Sequence, residues 1–361
     1  MRVIIACGGT AGHYLPALSF LDTLSKKAKD WDLCLALTKR NVEKEFDLGQ
    51  FQVTRLSLVS VSRKINFKNL VAILKFIFGC FESLYLILRL RPGIVIGFGG
   101  YASFPLVLFS SLLGIKTVIH EQNVSPGISN KFLALFVNKV AVSFPKSAEF
   151  FWCNKNKIVF TGNPVRKDLS KVDKQQSLNF FGLAADKFTV LVMGGSQGSR
   201  QINTSFVKAL SDMNFSDKIQ IVHLCGELDY RQLKEAYGKM KYDVRLFDFL
   251  KEMKYAYSAA DLAISRAGAG SINEIIFYQL PAVLVPYPYA SGHQRENAKA
   301  LQDSAACIII EDKDFTPAIV GELINKFLNQ RHELDNLRMK LSSLSMSEAA
   351  ENLSDLVLSL S

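Results

Sequence analysis

The chain has 361 residues, 49% of them hydrophobic and 21% charged, so it carries enough apolar material for at least two packed cores. That excludes a disordered chain, a collagen-like repeat and a coiled-coil rod. Lys and Arg number 43 against 33 Asp and Glu, and the net charge of +10 favours an anionic partner: a phosphate-rich ligand, an acidic membrane surface or nucleic acid.

The six cysteines, at 7, 34, 80, 153, 225 and 307, form no CxxC pair, and Met1 leads straight into a strand-like run, so the expectation is a reduced, cytosolic chain without a signal peptide. Val/Ile-rich runs predict strands at 3–6, 33–37, 94–98, 117–119, 140–142, 157–160, 190–193, 220–223, 262–265, 282–285 and 307–310. Continuously apolar strands alternating with helix-length segments imply parallel sheets covered on both faces. Val3-Ile-Ile-Ala-Cys-Gly-Gly-Thr-Ala-Gly12 is echoed 186 residues later by Thr189-Val-Leu-Val-Met-Gly-Gly-Ser-Gln-Gly198, each copy a buried strand feeding a Gly-Gly-(Thr/Ser)-x-Gly turn. This predicts two doubly wound α/β domains facing a cleft: 1–163, 164–344, and a C-terminal amphipathic helix at 345–361 with Ala349, Ala350, Leu353, Leu356, Val357 and Leu360 on one face.

The segment 69–88 is long enough to span a bilayer, but Lys68, Lys75, Glu82 and Arg89 recur every seven residues and form one polar stripe beside an apolar surface. Such a helix lies against something: either the protein core, or an anionic membrane surface met by Phe67, Val71, Leu74 and Phe78 with Lys68 and Lys75 beside them. Gly79 is a point at which it could divide in two.

Gly8-Gly-Thr-Ala-Gly-His13 joins a strand to a helix, which aims free backbone N–H groups and a positive helix end at an anion, a phosphate being the obvious guest. It is neither GxGxxG nor a P-loop, which lowers the nicotinamide and nucleoside-triphosphatase readings. Gly97-Phe-Gly-Gly-Tyr101 and the 194–198 turn repeat the theme. His13 is placed to act as a general base near neutral pH, against the alternative of a structural histidine. His120-Glu-Gln-Asn123 ends another strand, where ligands bind in such sheets; a solvated loop is the alternative. In Ser265-Arg-Ala-Gly-Ala-Gly-Ser-Ile-Asn-Glu274, the final carboxylate suits a ribose diol, yet Ser271 to Glu274 also spells a capping box. Gly292-His-Gln-Arg-Glu-Asn297 offers amides for sugar hydroxyls. Asp312-Lys-Asp314 has the form of a metal-binding DxD, but Thr316-Pro317 after it is a helix-start signature, so it is read as a loop. The five histidines have no zinc-ligand spacing.

These glycine turns, with His120–Asn123, Gly162-Asn-Pro-Val-Arg166, Ser265-Arg-Ala-Gly268 with Glu274, and 292–297, together resemble the MurG family, bacterial N-acetylglucosaminyltransferases that make lipid II. The resemblance covers residues 1 to about 330 and rests on seven motifs in the same order. It implies the GT-B fold and inverting transfer of N-acetylglucosamine from UDP-GlcNAc to the 4-hydroxyl of the MurNAc of undecaprenyl-pyrophosphoryl-MurNAc-pentapeptide (lipid I), with no cofactor and no metal. The N-terminal domain would hold the lipid-linked pyrophosphate and the C-terminal domain the donor.

Carried over residue by residue, it implies Glu274 for the ribose, Gln294 for the sugar, Ser196 and Arg166 for the donor phosphates and the Leu250 backbone for uracil. Ala269, Gly270, Ser271, Ile272 and Asn273 join the donor site, while Thr10, Ala11, Gly12 and Asn123 face the donor sugar and acceptor. His13 is the base, with Glu121 as its rival. Ala11 and Asn273 depart from the residues usual in the family without removing a functional group. The resemblance also implies peripheral attachment to the cytoplasmic face of the bacterial inner membrane and leaves room for cell-wall synthesis proteins as partners. A related transferase acting on another lipid needs the C-terminal donor motifs but not the glycine loops near Gly9 and Gly100, whose presence counts against it, and a nucleic-acid-binding protein would show clustered basic and aromatic residues.

Overall fold

The computed structural model describes residues 1–8, 11–38, 51–59, 67–166, 168–195, 197–213, 215–289, 292–344 and 348–361, and all side chains of these except those of residues 11, 67–69 and 102. The chain forms two units, Met1–Arg166 with Glu348–Ser361, and Lys167–Ser347.

In the first unit, strands β1 (Arg2–Ala6), β2 (Asp32–Thr38), β3 (Gln52–Leu56), β4 (Ile94–Gly97), β5 (Lys116–Glu121), β6 (Lys139–Val142) and β7 (Ile158–Phe160) form one parallel sheet in the order β3-β2-β1-β4-β5-β6-β7. The apolar run of β1 feeds both faces. Val3 and Ile5 pack with Phe20, Leu21 and Leu24 of helix α1 (Ala11–Lys27), and Ile4 and Ala6 pack in a core with residues of α2 (Phe67–Leu90), α3 (Gly100–Leu112) and α4 (Ile128–Leu133). The C-terminal helix, Ala349–Leu358, buries Leu353 and Val357 in the α1 core and pairs Asp355 with Lys27 at 2.5 Å.

Helix α2 is continuous. Gly79 does not divide it; a Cβ there would stand 2.5 Å from Leu58 Cδ2, so the glycine lets the segment after β3 approach the helix closely. Glu82 is turned from the charged stripe to the same segment, accepting from Ser57 N at 2.6 Å and Ser57 Oγ at 3.0 Å.

The second unit repeats the plan. Helix α5 (Lys174–Phe181) precedes strands β8 (Phe188–Met193), β9 (Ile219–Leu224), β10 (Asp243–Phe247), β11 (Leu262–Ser265), β12 (Ala282–Leu284) and β13 (Ile308–Ile309), ordered β10-β9-β8-β11-β12-β13 and all parallel. They alternate with α6 (Arg200–Asp212), α7 (Glu227–Tyr237), α8 (Met253–Ala259), α9 (Ala269–Tyr278) and α10 (His293–Asp303), followed by α11 (Pro317–Asn329) and α12 (Arg331–Leu344). The internal repeat is thus structural: β8 takes the place of β1, and each is flanked by the strands that begin the two windings. In such sheets ligands bind outside the carboxyl ends of the strands, where the winding reverses: between β1 and β4, and between β8 and β11.

Candidate active site

At the reversal point of the first unit, α1 brings His13 beside the turn between β4 and α3. Gly99 and Gly100 have φ of +87° and +77°; a Cβ on the first would lie 3.2 Å from His13 Cδ2 and on the second 2.8 Å from the Gly8 carbonyl, so only glycine lets this backbone close on the imidazole. Burial pushes the His13 pKa down, partly offset by the Glu121 carboxylate and a hydrogen bond to the Gly8 backbone, so the ring is neutral at neutral pH. Gly12 is exposed beside it. Thr10 lies outside the described residues, as does the side chain of Ala11.

The quartet at the end of β5 is a set of buried struts rather than a solvated loop. His120 Nδ1 accepts from Gln122 Nε2 at 3.0 Å and its Nε2 donates to the Gly162 carbonyl at 3.0 Å; burial lowers its pKa to about 4, keeping the ring neutral, and these two partners fix its tautomer. Gln122 also donates to Phe98 O at 3.1 Å, tying β5 to the Gly97–Gly100 region. Glu121 accepts from Asn123 N (2.9 Å), Asn123 Nδ2 (3.1 Å), Gly127 N (3.3 Å) and Asn130 Nδ2 (2.8 Å). A carboxylate engaged by four donors holds a loop; its oxygens are poorly placed to take a proton from a substrate. Asn130, which the sequence did not single out, closes this set from α4.

At the second reversal point, β8 runs into the 194–198 turn. Gly198 has φ of +75°, and a Cβ there would meet the Cys225 carbonyl at 2.0 Å, backbone against backbone. A buried chain braces this contact: Tyr237 OH to His223 Nδ1 (2.7 Å), His223 Nε2 to Asn203 Oδ1 (3.0 Å), and Asn203 Nδ2 to Cys225 O (2.9 Å) and Asp229 Oδ2 (2.8 Å). Burial lowers the His223 pKa to about 3, so it is neutral, as this donor direction requires. Ser196 lies outside the described residues, Arg166 is half-buried at the end of the first unit, and Leu250 is buried in the segment after β10.

Gly268, not Ser271, caps α9, and it supplies no side-chain bond to the first-turn amides of Ala269, Gly270 and Ser271. The capping box is therefore not formed. Glu274 stands in the second turn rather than the first, and its Oε2 accepts from Tyr257 OH at 2.5 Å. In the same helix Ile272 is buried and Asn273 Nδ2 turns back to Ala269 O at 2.7 Å. Gln294 Oε1 accepts from Tyr287 N at 3.0 Å. Asp312 pairs with the buried Arg266 at 2.5 Å in a 3-10 turn, Asp312–Asp314, and Thr316 caps α11 by accepting from Ile319 N. Tyr257 and the Asn203–His223 pair carried no sequence signal, because only the fold brings them to these turns.

The first unit also exposes an apolar face. On α2, Leu70, Ile73, Leu74, Ile77, Phe78, Phe81, Tyr85 and Leu88 point outward at helical spacing, Phe78 58% and Phe81 66% exposed, with Lys75 exposed on its flank; Val71 is half-buried, and the Phe67 and Lys68 side chains are outside the described residues. The stretch Leu70–Leu90 is long and apolar enough to cross a membrane, but Leu86 and Ile87 on its inner side are core residues of this unit. Exposed Leu112 and Leu113 at the end of α3, and Ile128, Phe132, Leu135, Phe136 and Trp152 around α4, add to this character, with Lys131 Nζ 5.7 Å from the ring centres of Phe150 and Trp152.

Residues 3–142 match the Glycosyltransferase family 28 N-terminal domain and residues 189–353 the Glycosyltransferase family 28 C-terminal domain. The UDP-N-acetylglucosamine--N-acetylmuramyl-(pentapeptide) pyrophosphoryl-undecaprenol N-acetylglucosamine transferase of Syntrophus aciditrophicus is 37% identical over 359 residues, 98% of this chain and 97% of that one. The protein of the same name from Acetivibrio thermocellus is 32% identical over 364 residues, 99% and 97% of the two chains. Among solved structures, that of Acinetobacter baumannii MurG matches with a TM-score of 0.78 and 27% identity over 99% of both chains. Two parallel-sheet domains of the GT-B type, glycosyltransferase family 28 matches in both halves and full-length relatives above 30% identity lead to one conclusion: the chain belongs to the MurG family of N-acetylglucosaminyltransferases.

Proposed function

We propose that this chain transfers N-acetylglucosamine from UDP-GlcNAc to the 4-hydroxyl of the MurNAc residue of lipid I, giving lipid II for peptidoglycan synthesis, with inversion at the anomeric carbon. The observation that carries the reading is the chemistry at the two reversal points: a neutral imidazole in one unit, and in the other a glycine turn after β8 beside β11, whose following helix α9 has no side-chain cap and carries Glu274. His13 takes the proton of the acceptor hydroxyl as its oxygen attacks the anomeric carbon, and the bond to UDP breaks with its electron pair on the diphosphate. Backbone amides of the 194–198 turn, the first-turn amides of α9 and Arg166 stabilise that charge, with Ser196 assigned to the same phosphates. Glu274, oriented by Tyr257, holds the ribose; Leu250 offers its backbone to uracil; Gln294 holds the sugar. Thr10, Ala11, Gly12 and Asn123 line the sugar and acceptor side. Glu121 acts on His13 through its charge and through the 121–130 loop it gathers, a positioning role rather than that of the base.

The exposed α2 face, with Lys75 on its flank, is the surface that rests on an anionic leaflet, so the enzyme works peripherally at the cytoplasmic face of the bacterial inner membrane, where proteins of cell-wall synthesis are its partners. The test is transfer of labelled sugar to lipid I in detergent. UDP-GlcNAc is expected to serve and UDP-glucose to fail, with activity lost in Glu274→Ala. If UDP-GlcNAc binds but lipid I is not glycosylated, the acceptor assignment is wrong. Phe78→Glu is expected to abolish binding to phosphatidylglycerol vesicles while transfer to detergent-dispersed lipid I is unchanged; undiminished vesicle binding would remove the α2 face from the proposal.

A further inference from the structure

Arg266 is 8% exposed at the end of β11, a buried cation that the transfer chemistry above does not use. Its Nη1 lies 2.5 Å from Asp312 Oδ1 and donates to the carbonyls of Val285 at 3.1 Å and Pro286 at 3.4 Å, while its guanidinium carbon sits 5.4 Å from the centre of the Tyr287 ring. A charge at this depth persists because each of these groups compensates it.

The Pro286 carbonyl and the Tyr287 N–H belong to one planar peptide unit, so gripping the oxygen on one side fixes the direction of the hydrogen on the other. That hydrogen is the one Gln294 Oε1 accepts at 3.0 Å. With its oxygen committed to a backbone donor, the Gln294 carboxamide has only one orientation, and its NH2 group is the end left to meet a ligand. We infer that Asp312, Arg266 and the 286–287 peptide form a positioning relay that aims the Gln294 NH2 at a hydroxyl of the donor sugar. The inference rests on the reading of Gln294 as the sugar ligand and gives Asp312 a role that is neither that of a metal ligand nor that of a plain loop residue. Asp312 and Arg266 touch no substrate; they act through Gln294.

The experiment is calorimetric binding of UDP and of UDP-GlcNAc to the full chain, with Asp312→Asn, Arg266→Lys, Gln294→Leu and the double variant Asp312→Asn/Gln294→Leu. Losing one well-aimed hydrogen bond to the sugar lowers affinity for UDP-GlcNAc about tenfold in each single variant while affinity for UDP alone stays within about twofold. In the double variant the Asp312 change adds nothing to the Gln294 change, since both act on one contact. Michaelis constants for UDP-GlcNAc are expected to rise in step, with inhibition by UDP unaltered. A parallel loss of affinity for both ligands, an unchanged affinity for UDP-GlcNAc, or additive losses in the double variant would each overturn the relay. Failure of the unaltered protein to bind either ligand overturns instead the donor assignment on which the relay stands.

Discussion

The two reversal points share a topology and differ in what they offer. Around β1 and β4 the chain buries neutral rings and amides: His13 with a lowered pKa, His120 locked between Gln122 and Gly162, and a carboxylate gathering four donors. Around β8 and β11 it offers main-chain N–H groups, an uncapped helix start and a cation committed to Asp312. The first arrangement suits taking up a proton, because the His13 imidazole is unprotonated at neutral pH; the second suits receiving a diphosphate, because fixed dipoles need no reorganisation as charge arrives. In the proposed mechanism one duplicated scaffold serves a base and a leaving group, and the specialisation lies in the strand-end loops rather than in the sheets.

Changes that separate the two points test this division, and the largest effect is expected at His13. His13→Ala should lower kcat about 100- to 10,000-fold with UDP affinity unchanged, measured by transfer assay and calorimetry. Next is a paired glycine substitution. Gly198→Ala drives a Cβ into the Cys225 carbonyl, which cannot move aside, and is expected to cost about 3 kcal/mol of stability in denaturant unfolding along with UDP binding. Gly99→Ala meets the His13 ring at 3.2 Å and should cost about 1–2 kcal/mol, with donor binding intact.

The pH dependence follows from the directions of the shifts. The proposed base works when unprotonated, and the His13 pKa lies below 6.5, so kcat/KM should hold as pH falls through 6.5 and decline only below it; Glu121→Gln removes a charge that raises this pKa and should move the acid limb lower still. For stability, His120 and His223 are neutral in the fold with pKa values of about 4 and about 3, so the unfolded chain takes up protons first and stability drains away as pH falls from 6.5 towards those values. His223→Gln is expected to flatten that decline in an acid unfolding series. The smallest effect belongs to the half-exposed Arg2–Asp32 pair: Arg2→Ala should cost about 0.5 kcal/mol or less by thermal melting.

Most of the fold was legible because central parallel strands are buried on both faces and read as unbroken apolar runs; each of the 11 predicted runs overlaps an observed strand. Among the described residues the two strands missed, β3 and β10, stand at corresponding edges of the two sheets, where Gln52-Val-Thr-Arg-Leu56 and Asp243-Val-Arg-Leu-Phe247 are only partly buried and polar residues interrupt the run. At the site, glycine turns and strand-end polar clusters were visible because backbone approach demands glycine. What each polar side chain does was less so. Glu121 read as a rival base or part of a solvated loop, not as a carboxylate that gathers four donors, and the spacing of Ser271 and Glu274 mimicked a capping box because the sequence did not mark Gly268 as the cap. Tyr257 reaches Glu274 from another helix, a relation no local pattern encodes.

The last helix changes how this chain comes into being. Because Glu348–Ser361 belongs to the first unit, whose α1 core it covers with Leu353 and Val357, that unit lacks part of its hydrophobic surface until this helix leaves the ribosome. The second unit, contiguous in sequence, has all its strands earlier. Domains fold as units during synthesis, so the half that is made first is the half that is finished last. Loss of this helix would therefore be felt some 330 residues earlier in the sequence, beneath the helix that carries the proposed base.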